Sequence, residues 1–534
     1  MINLRRKNAS IFYQIKRLWR HILVTNRDWC PGHHNTCVKI FLFLKGLPPN
    51  YDVRSENLRI SNLIDGGRLA TGGLVDFASG LQTPVVRLGV TGLARAGKTV
   101  FITALVNALL RQARLPVFEA QSEGRILRTY LEPQPNDDLP RFAYENHLRD
   151  LTGEQRHWPE STRRISQLRL TIEYAPESFI ARTFGSGRLH VDIVDYPGEW
   201  LLDLPLMQQS YQQWSAQILE ASRMAPRAAM AKDWHDLLAT LDANTPADEI
   251  KAMRAAEIFT AYLAACRQRD IAMSSLPPGR FLMPGELDGS PLLSFAPLDV
   301  KPDQSFASGS MGALMERRYQ SYVSHVVKPF YFGHFARLHR QIVLVDVMSA
   351  LNAGIHAVND LRTALTDVMG SFRLGANTMV SNVFGKRIDR VLFAATKADY
   401  LHHSSHDRLQ SILKLLVQQA ADKAEFAGAR IDALALSSIR ATREATVEQK
   451  GQSLPCIAGV PVAGEQVGRD IFDGKTEAAI FPGDLPRDPA VALQGLQAGT
   501  LQFVKFRPPE IANGTFAHIR LDRAIEFLLG DCFP

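Results

Sequence analysis

Residues 85–110 read VVRLGVTGLARAGKTVFITALVNALL, and this stretch decides the fold. The β-branched, apolar run Val85, Val86, Leu88 and Val90 predicts a strand. Phe101, Leu105, Ala108 and Leu109 fall on one face of a predicted helix. Between them stands Gly92-Leu93-Ala94-Arg95-Ala96-Gly97-Lys98-Thr99, a G-x-x-x-x-G-K-[ST] loop with the strand before it and the helix after it that the motif requires. Gly92 and Gly97 are expected to take backbone angles closed to other residues, so that the N–H groups of Ala94, Arg95, Ala96 and Gly97 turn inward around a phosphate chain. The helix opening at Lys98, with Thr99 and Val100 in its first turn, adds unpaired N–H groups and the positive end of its dipole. Lys98 is placed to reach β- and γ-phosphates, and the Thr99 hydroxyl to bind Mg²⁺. A glycine-rich turn can match such a pattern by chance, but seldom with both flanks correct.

At 534 residues the chain can bury a large core, and length alone suggests two or three domains. Its 46% hydrophobic and 22% charged residues are those of an ordinary globular protein. The apolar run 38–44 falls far short of a bilayer span. The cysteines (Cys30, Cys37, Cys266, Cys456 and Cys532) are odd in number and scattered, which fits a reducing cytoplasm rather than a disulfide framework. The net charge of +7 is unevenly placed, since residues 1–60 hold eleven Lys or Arg against Asp28, Asp52 and Glu56. The rest is close to neutral, so the basic balance gives no argument for nucleic acid.

Residues 1–55 read unlike the rest. Lys16, Arg17 and Arg20 alternate with Ile11, Phe12, Ile15, Leu18 and Trp19, a basic amphipathic pattern compatible with peripheral membrane contact. Cys30-x2-His33-His34-x2-Cys37 has zinc-ligand residue types, but four ligands within eight residues need a very tight loop. The leading expectation is a disordered extension, or sequence upstream of a misassigned start. Residues 56–201 are read as the first part of an α/β domain, with two helical pieces before the strand at 85. The polar, proline-bearing stretch 118–159 reads as loop and short helix, and strands at 168–174 and 189–194 as an antiparallel hairpin at the sheet edge. Helical spacing dominates 202–338, in segments 207–224, 229–241, 249–269 and 311–338, and predicts a helical insertion. From 339 to 534 alternation resumes: strands at 341–347, 390–395 and 431–436 separated by helices at 352–369 and 404–427 imply a parallel, doubly wound sheet. Short strands at 457–462 and 501–506 and a final helix at 519–529 complete the reading.

A phosphate loop alone does not choose among kinase, ATPase and GTPase. Residues 189–199 read LHVDIVDYPGE, an apolar strand ending in Asp195 with Gly198 three residues on. Asp195 can hold Mg²⁺ through water, and the Gly198 N–H can meet a γ-phosphate. Glu199 can act as base toward an attacking water, but its charge repels the phosphate, so hydrolysis is expected to be slow. Residues 393–399 read FAATKAD, again at a strand end. There Asp399 can accept from both the N1–H and the 2-amino group of guanine, a pair adenine lacks, while the Lys397 stem covers the ring and Tyr400 adjoins it. Asp399 as a plain helix N-cap is the competing account. Ser437-Ser438-Ile439-Arg440 ends the next strand, and the Ser438 and Ile439 amides are expected at the guanine carbonyl. Trp158-Pro159-Glu160-Ser161-Thr162-Arg163-Arg164 is the candidate switch over the γ-phosphate. Thr162 would complete the Mg²⁺ shell, and Arg163 would supply positive charge to the transition state. Arg163 and Arg164 as surface charges are an equal alternative.

Taken in order, GLARAGKT, WPEST, DYPGEW, TKAD and SSIRAT resemble the YcjX-like family of bacterial P-loop GTPases. So do RQIVLVDVMSALNAG (340–354) and the closing 518–531, and the likeness covers roughly residues 58–533. It implies a Ras-like α/β core with a large helical insertion, bound GTP or GDP, and nucleotide contacts from Trp158, Ser161, Thr162 and Arg163. It also implies a stress-related cellular role. An effector or regulator protein is expected but not identified. Two rival functions remain at this stage: a P-loop kinase with the insertion as acceptor lid, and a module that holds nucleotide without hydrolysing it.

Overall fold

The strand before the glycine loop is β1 (Val85–Gly92), and in the computed structural model it lies at the centre of a seven-stranded sheet. On one side β1 pairs in parallel with β4 (Gly187–Asp195), which is followed outward by antiparallel β3 (Ser166–Tyr174) and β2 (Ile126–Glu132). On the other side come β5 (Arg340–Val345), β6 (Arg390–Ala395) and β7 (Arg430–Ala435), all parallel. The structure describes residues 83–92, 96–160, 164–177, 186–268, 271–372, 387–449, 451–494, 496, 501–511 and 514–534. The expectations for the extension 1–55 and for helices in 56–82 lie outside them.

Period-two alternation in the inner strands sends neighbouring side chains to opposite cores. Ile342, Leu344, Leu392 and Ala394 join one apolar cluster, and Val343, Val345, Val391 and Phe393 join the other. The first is covered by α1 (Lys98–Leu110) and the C-terminal helix α8 (Leu521–Leu529), with Phe101, Leu105, Ile525 and Leu528 facing the sheet. The second is covered by α6 (Ile355–Gly370) and α7 (His406–Phe426). That same cluster runs without a break into the helical segment between β4 and β5. Trp214 of α3 (Tyr211–Arg223), Phe259 of α4 (Glu249–Cys266) and Tyr319 of α5 (Met311–Tyr322) are buried together there, Trp214 stacked on Tyr319.

Three expectations need correction. The hairpin β3–β4 is not the sheet edge, because β2 lies outside it, within the stretch read as loop. Its residues ILRTYLE are half-solvated, with Leu127 exposed, so the alternation that marks a covered strand is missing. The short helix expected in that stretch is there, as α2 (Tyr144–Thr152). The helix expected over 311–338 runs without a break only to Gly333, as α5, a π-helical turn Val323–Val327 and Lys328–Gly333, and a separate 3-10 turn follows at Phe335–Arg337. Pro329 has no N–H to continue the regular ladder, and the π-helical turn just before it is where that ladder widens. Finally, 501–506 is not a strand. It is joined by a single bridge, Pro461 to Phe506, to a small β appendage. The appendage consists of β8 (Arg443–Gln449), β9 (Gln452–Gly459), a ribbon of β10 (Gln466–Val467) and β11 (Asp470–Ile471), and β12 (Ala478–Ile480). Ile457, Ile480, Val504 and Phe506 form its core.

Candidate functional site

Parallel strands deliver their carboxyl ends to one rim of the sheet, and a crevice opens there where the strand order reverses around β1. Gly92 ends β1, Asp195 ends β4, Asp346 follows β5, Thr396 to Asp399 follow β6, and Ser437 follows β7. Because β3 is antiparallel, its first residue Ser166 pairs with Asp195, so the chain entering β3 is brought to the same rim. That is the structural reason residues 158–160 meet the phosphate loop. A cavity of about 1050 Å³ runs along the rim, from Ala96, Gly97, Lys98, Thr99 and Val100 to Lys397, Asp399, Tyr400, Ser438 and Ile439.

At its phosphate-loop end, Gly97 sits at φ +81°, the left-handed conformation expected of it, and directly precedes α1. Gly92 is a glycine for a different reason than expected. It has no positive φ, but a Cβ there would lie 2.8 Å from the Leu344 carbonyl oxygen of the neighbouring strand. Lys98 is nearly buried, its ammonium donating to the Gly92 carbonyl at 3.1 Å, and the Thr99 hydroxyl donates to the Glu160 carbonyl at 3.4 Å. Ala94 and Arg95 of the loop, and Ser161, Thr162 and Arg163 of the candidate switch, lie outside the described residues.

Asp195 is buried at the strand end and does not line the cavity. Its carboxylate and the Thr99 hydroxyl are hard oxygen donors of the type Mg²⁺ takes, so the donor chemistry fits that ion. Gly198 abuts the loop: a Cβ on it would stand 1.8 Å from the Gly92 carbonyl oxygen. Glu199 departs from expectation. Its side chain does not line the cavity but turns to the helical segment, where it is ion-paired with Arg267. The residues after it are held the same way. Trp200 donates from Nε1 to the Met283 carbonyl at 3.0 Å and carries the Arg280 guanidinium over its ring at 3.1 Å. Asp203 accepts from the Gly279 N–H at 2.6 Å and from the Tyr322 hydroxyl at 2.6 Å. Burial pushes the Asp203 carboxyl up to about 6 despite these bonds.

At the other end, Asp399 is buried, with Oδ1 accepting from the Ser437 hydroxyl at 2.7 Å and Oδ2 from the Ala441 N–H at 2.9 Å. Burial raises its pKa, and the Ser437 and Ala441 bonds work against that rise. Each oxygen keeps a second lone pair for a ligand donor. Lys397 takes a left-handed φ of +61°, and its ammonium pairs with the Asp346 carboxylate. Burial alone would raise the Asp346 pKa, but Lys397 and Ser349 outweigh it and hold the group below its ordinary value. Trp158 lines the cavity and donates from Nε1 to the Phe506 carbonyl at 2.6 Å. Tyr400 meets the Phe506 ring edge-on, 5.6 Å between centroids.

Two groups of lining residues were not expected. Asp346 carried a signal, an acid after an apolar strand and before a helix, where it caps Ser349. Lys475, Lys505 and Arg507 come from the appendage and its adjoining segment and bring three cations to the cavity lining, beside one acid, Asp473. Their local sequence has no periodicity or phosphate motif that could have shown it.

The model of the YcjX-like family, DUF463, matches residues 86–533. The chain belongs to the YcjX-like family. It is 38% identical over 458 residues to a protein of Escherichia coli (strain K12) named Ras-like GTPase YcjX, covering 84% of this chain and 95% of that protein. A protein of the same name from Shewanella oneidensis is 36% identical over 474 residues, covering 84% and 94%. Expected and observed architecture agree: an α/β fold on a mostly parallel seven-stranded sheet. Among the described residues no helix is long and apolar enough to cross a membrane.

Proposed function

We propose that this chain binds guanine nucleotides and hydrolyses GTP to GDP and phosphate, serving as a conformational switch. One observation carries the reading: a phosphate loop with Lys98 and Thr99 and a buried carboxylate, Asp399, face one cavity. The relatives' name, Ras-like GTPase YcjX, supports it. In this reading Lys98 exchanges the Gly92 carbonyl for phosphate oxygens, and the loop and α1 amides take the remaining phosphate charge. Asp399 takes the two guanine donors, and adenine would leave it buried without them, at a cost of roughly 1–3 kcal/mol or more. Mg²⁺, held through Thr99 and Asp195, would neutralise charge on the β- and γ-phosphates. The Gly198 N–H, set against the loop, is placed to respond to the γ-phosphate.

Glu199 is engaged by Arg267 and therefore does not position water in this arrangement, which supports slow turnover of the isolated chain. The response to GTP passes instead through Glu199, Trp200 and Asp203 into the helical segment that holds all three. The deciding experiment titrates GTP, GDP and ATP against the purified full chain by calorimetry while phosphate release is followed. The reading expects GTP and GDP to bind, ATP to bind far more weakly, slow phosphate release, and loss of all binding in Lys98→Ala. ATP held as tightly as GTP, or phosphate passed to an acceptor faster than to water, would overturn it.

A further inference from the structure

Outside the cavity, two adjacent histidines and a glutamate converge where the loop after β6 meets the start of β8. His402 and His403 follow the Asp399–Tyr400 turn, and Glu444 is the second residue of β8. His403 Nδ1 lies 2.7 Å from Glu444 Oε2, and His402 Nε2 lies 4.0 Å from the same oxygen. The three ligand atoms all fall within 4.8 Å of one another. We propose that His402, His403 and Glu444 form a binding site for a borderline divalent cation such as Zn²⁺, distinct from any ion at the phosphates.

The geometry suits such an ion. Ligand atoms about 2.1 Å from a tetrahedral metal stand roughly 3.4 Å apart, and the observed 2.7 Å and 4.0 Å separations bracket that spacing. Small side-chain rotations at a solvent-facing site would equalise them. The surrounding groups leave the needed atoms available. Arg440 reaches Glu444 Oε1 at 3.4 Å, which leaves Oε2 for the metal. His402 Nδ1 has the Ser404 hydroxyl at 3.0 Å and accepts from the Ser404 N–H at 3.4 Å, so metal binding through Nε2 exchanges the longer backbone bond for an Nδ1–H donated to the hydroxyl. This is the supporting contact that metal-bound imidazoles usually have. Two imidazoles and one carboxylate favour Zn²⁺, Co²⁺ or Ni²⁺ over Mg²⁺, which prefers oxygen and water. Without a metal, the exposed His403–Glu444 pair contributes little to holding the loops together.

The position gives the site a role. Asp399 already joins the same two segments from within, through Ser437 and Ala441. A cation outside would staple the loop carrying Asp399 and Tyr400 to the segment carrying Ser437 to Ala441. The metal site itself stands whether or not guanine is the base held there.

The test uses the full chain with Cys30→Ser and Cys37→Ser, which removes the thiolates of the N-terminal Cys30-His33-His34-Cys37 cluster. Zn²⁺ is titrated calorimetrically in excess Mg²⁺ and without nucleotide, so the result is independent of the guanine reading. One equivalent is expected. His403→Ala and Glu444→Gln, both surface changes that should leave the melting temperature of the metal-free protein unchanged, should each weaken binding at least about tenfold. Co²⁺ bound in place of Zn²⁺ should give tetrahedral d–d absorption without thiolate charge-transfer bands. No binding, or binding that both substitutions leave unchanged, would overturn the proposal.

Discussion

The Glu199 carboxylate is ion-paired with the Arg267 guanidinium, one residue beyond the glycine that abuts the phosphate loop. Glu199 is almost wholly buried, so removing its partner strands a charge away from water. Arg267→Ala should cost about 3–5 kcal/mol of stability, as loss of one member of a buried pair does. Adding Glu199→Gln should recover much of it. Urea unfolding of the single and double variants measures both, and additive losses would show that the two groups are not coupled.

Gly198→Ala places a methyl group 1.8 Å from the Gly92 carbonyl oxygen, so either the loop or the Asp195–Gly198 turn must shift. Both belong to the proposed phosphate site. Nucleotide affinity should fall tenfold or more, about 1.4 kcal/mol, while far-ultraviolet circular dichroism stays that of the parent. Parent-like GDP titration would place phosphate binding elsewhere.

Asp399→Asn exchanges two acceptors for one acceptor and one donor. Ala441 N–H still needs an acceptor, so the amide oxygen should turn toward it and the NH₂ toward the Ser437 hydroxyl and the ligand. The variant should lose GTP and gain xanthosine triphosphate, whose base offers an acceptor where guanine has its amino group. Competition between the two nucleotides reads the exchange directly.

Asp203 gives a pH dependence with a definite sign. Its carboxyl is raised from an ordinary 3.8 to about 6 by burial, so the folded state binds the proton more tightly than the unfolded chain. Its contribution is therefore fully present below pH 4 and is lost as pH rises to about 6, on the order of 3 kcal/mol for two pH units. Asp203→Asn keeps an acceptor for Gly279 N–H and should flatten that part of the stability curve. Chemical denaturation between pH 4 and 7, parent against variant, would reveal it.

The phosphate loop, the DYPG turn, TKAD and the SSIR turn were readable in advance because each sits where an apolar strand stops, and strand ends are what a parallel sheet brings together. The edge strand β2 escaped notice for the opposite reason. With one side open to water, Leu127 and Arg128 carry no burial pattern. Glu199 shows the limit of motif reasoning: its position after Gly198 suggested a role at the phosphate, but Arg267, far along the chain, decides where it points. The three cations Lys475, Lys505 and Arg507 were hidden for a similar reason. Only the folding of the appendage onto the rim gives those scattered side chains a common direction.

Trp158 carries a practical dividend. Its indole lines the cavity with the ring nitrogen fixed to Phe506, whereas Trp214 and Trp234 are sealed inside the helical segment. Occupancy of the pocket will therefore alter Trp158 directly and spare the deeper pair, with Trp200 reporting any movement of the turn after Gly198. The native chain brings its own optical probe, and stopped-flow fluorescence can time nucleotide arrival and departure with no label attached.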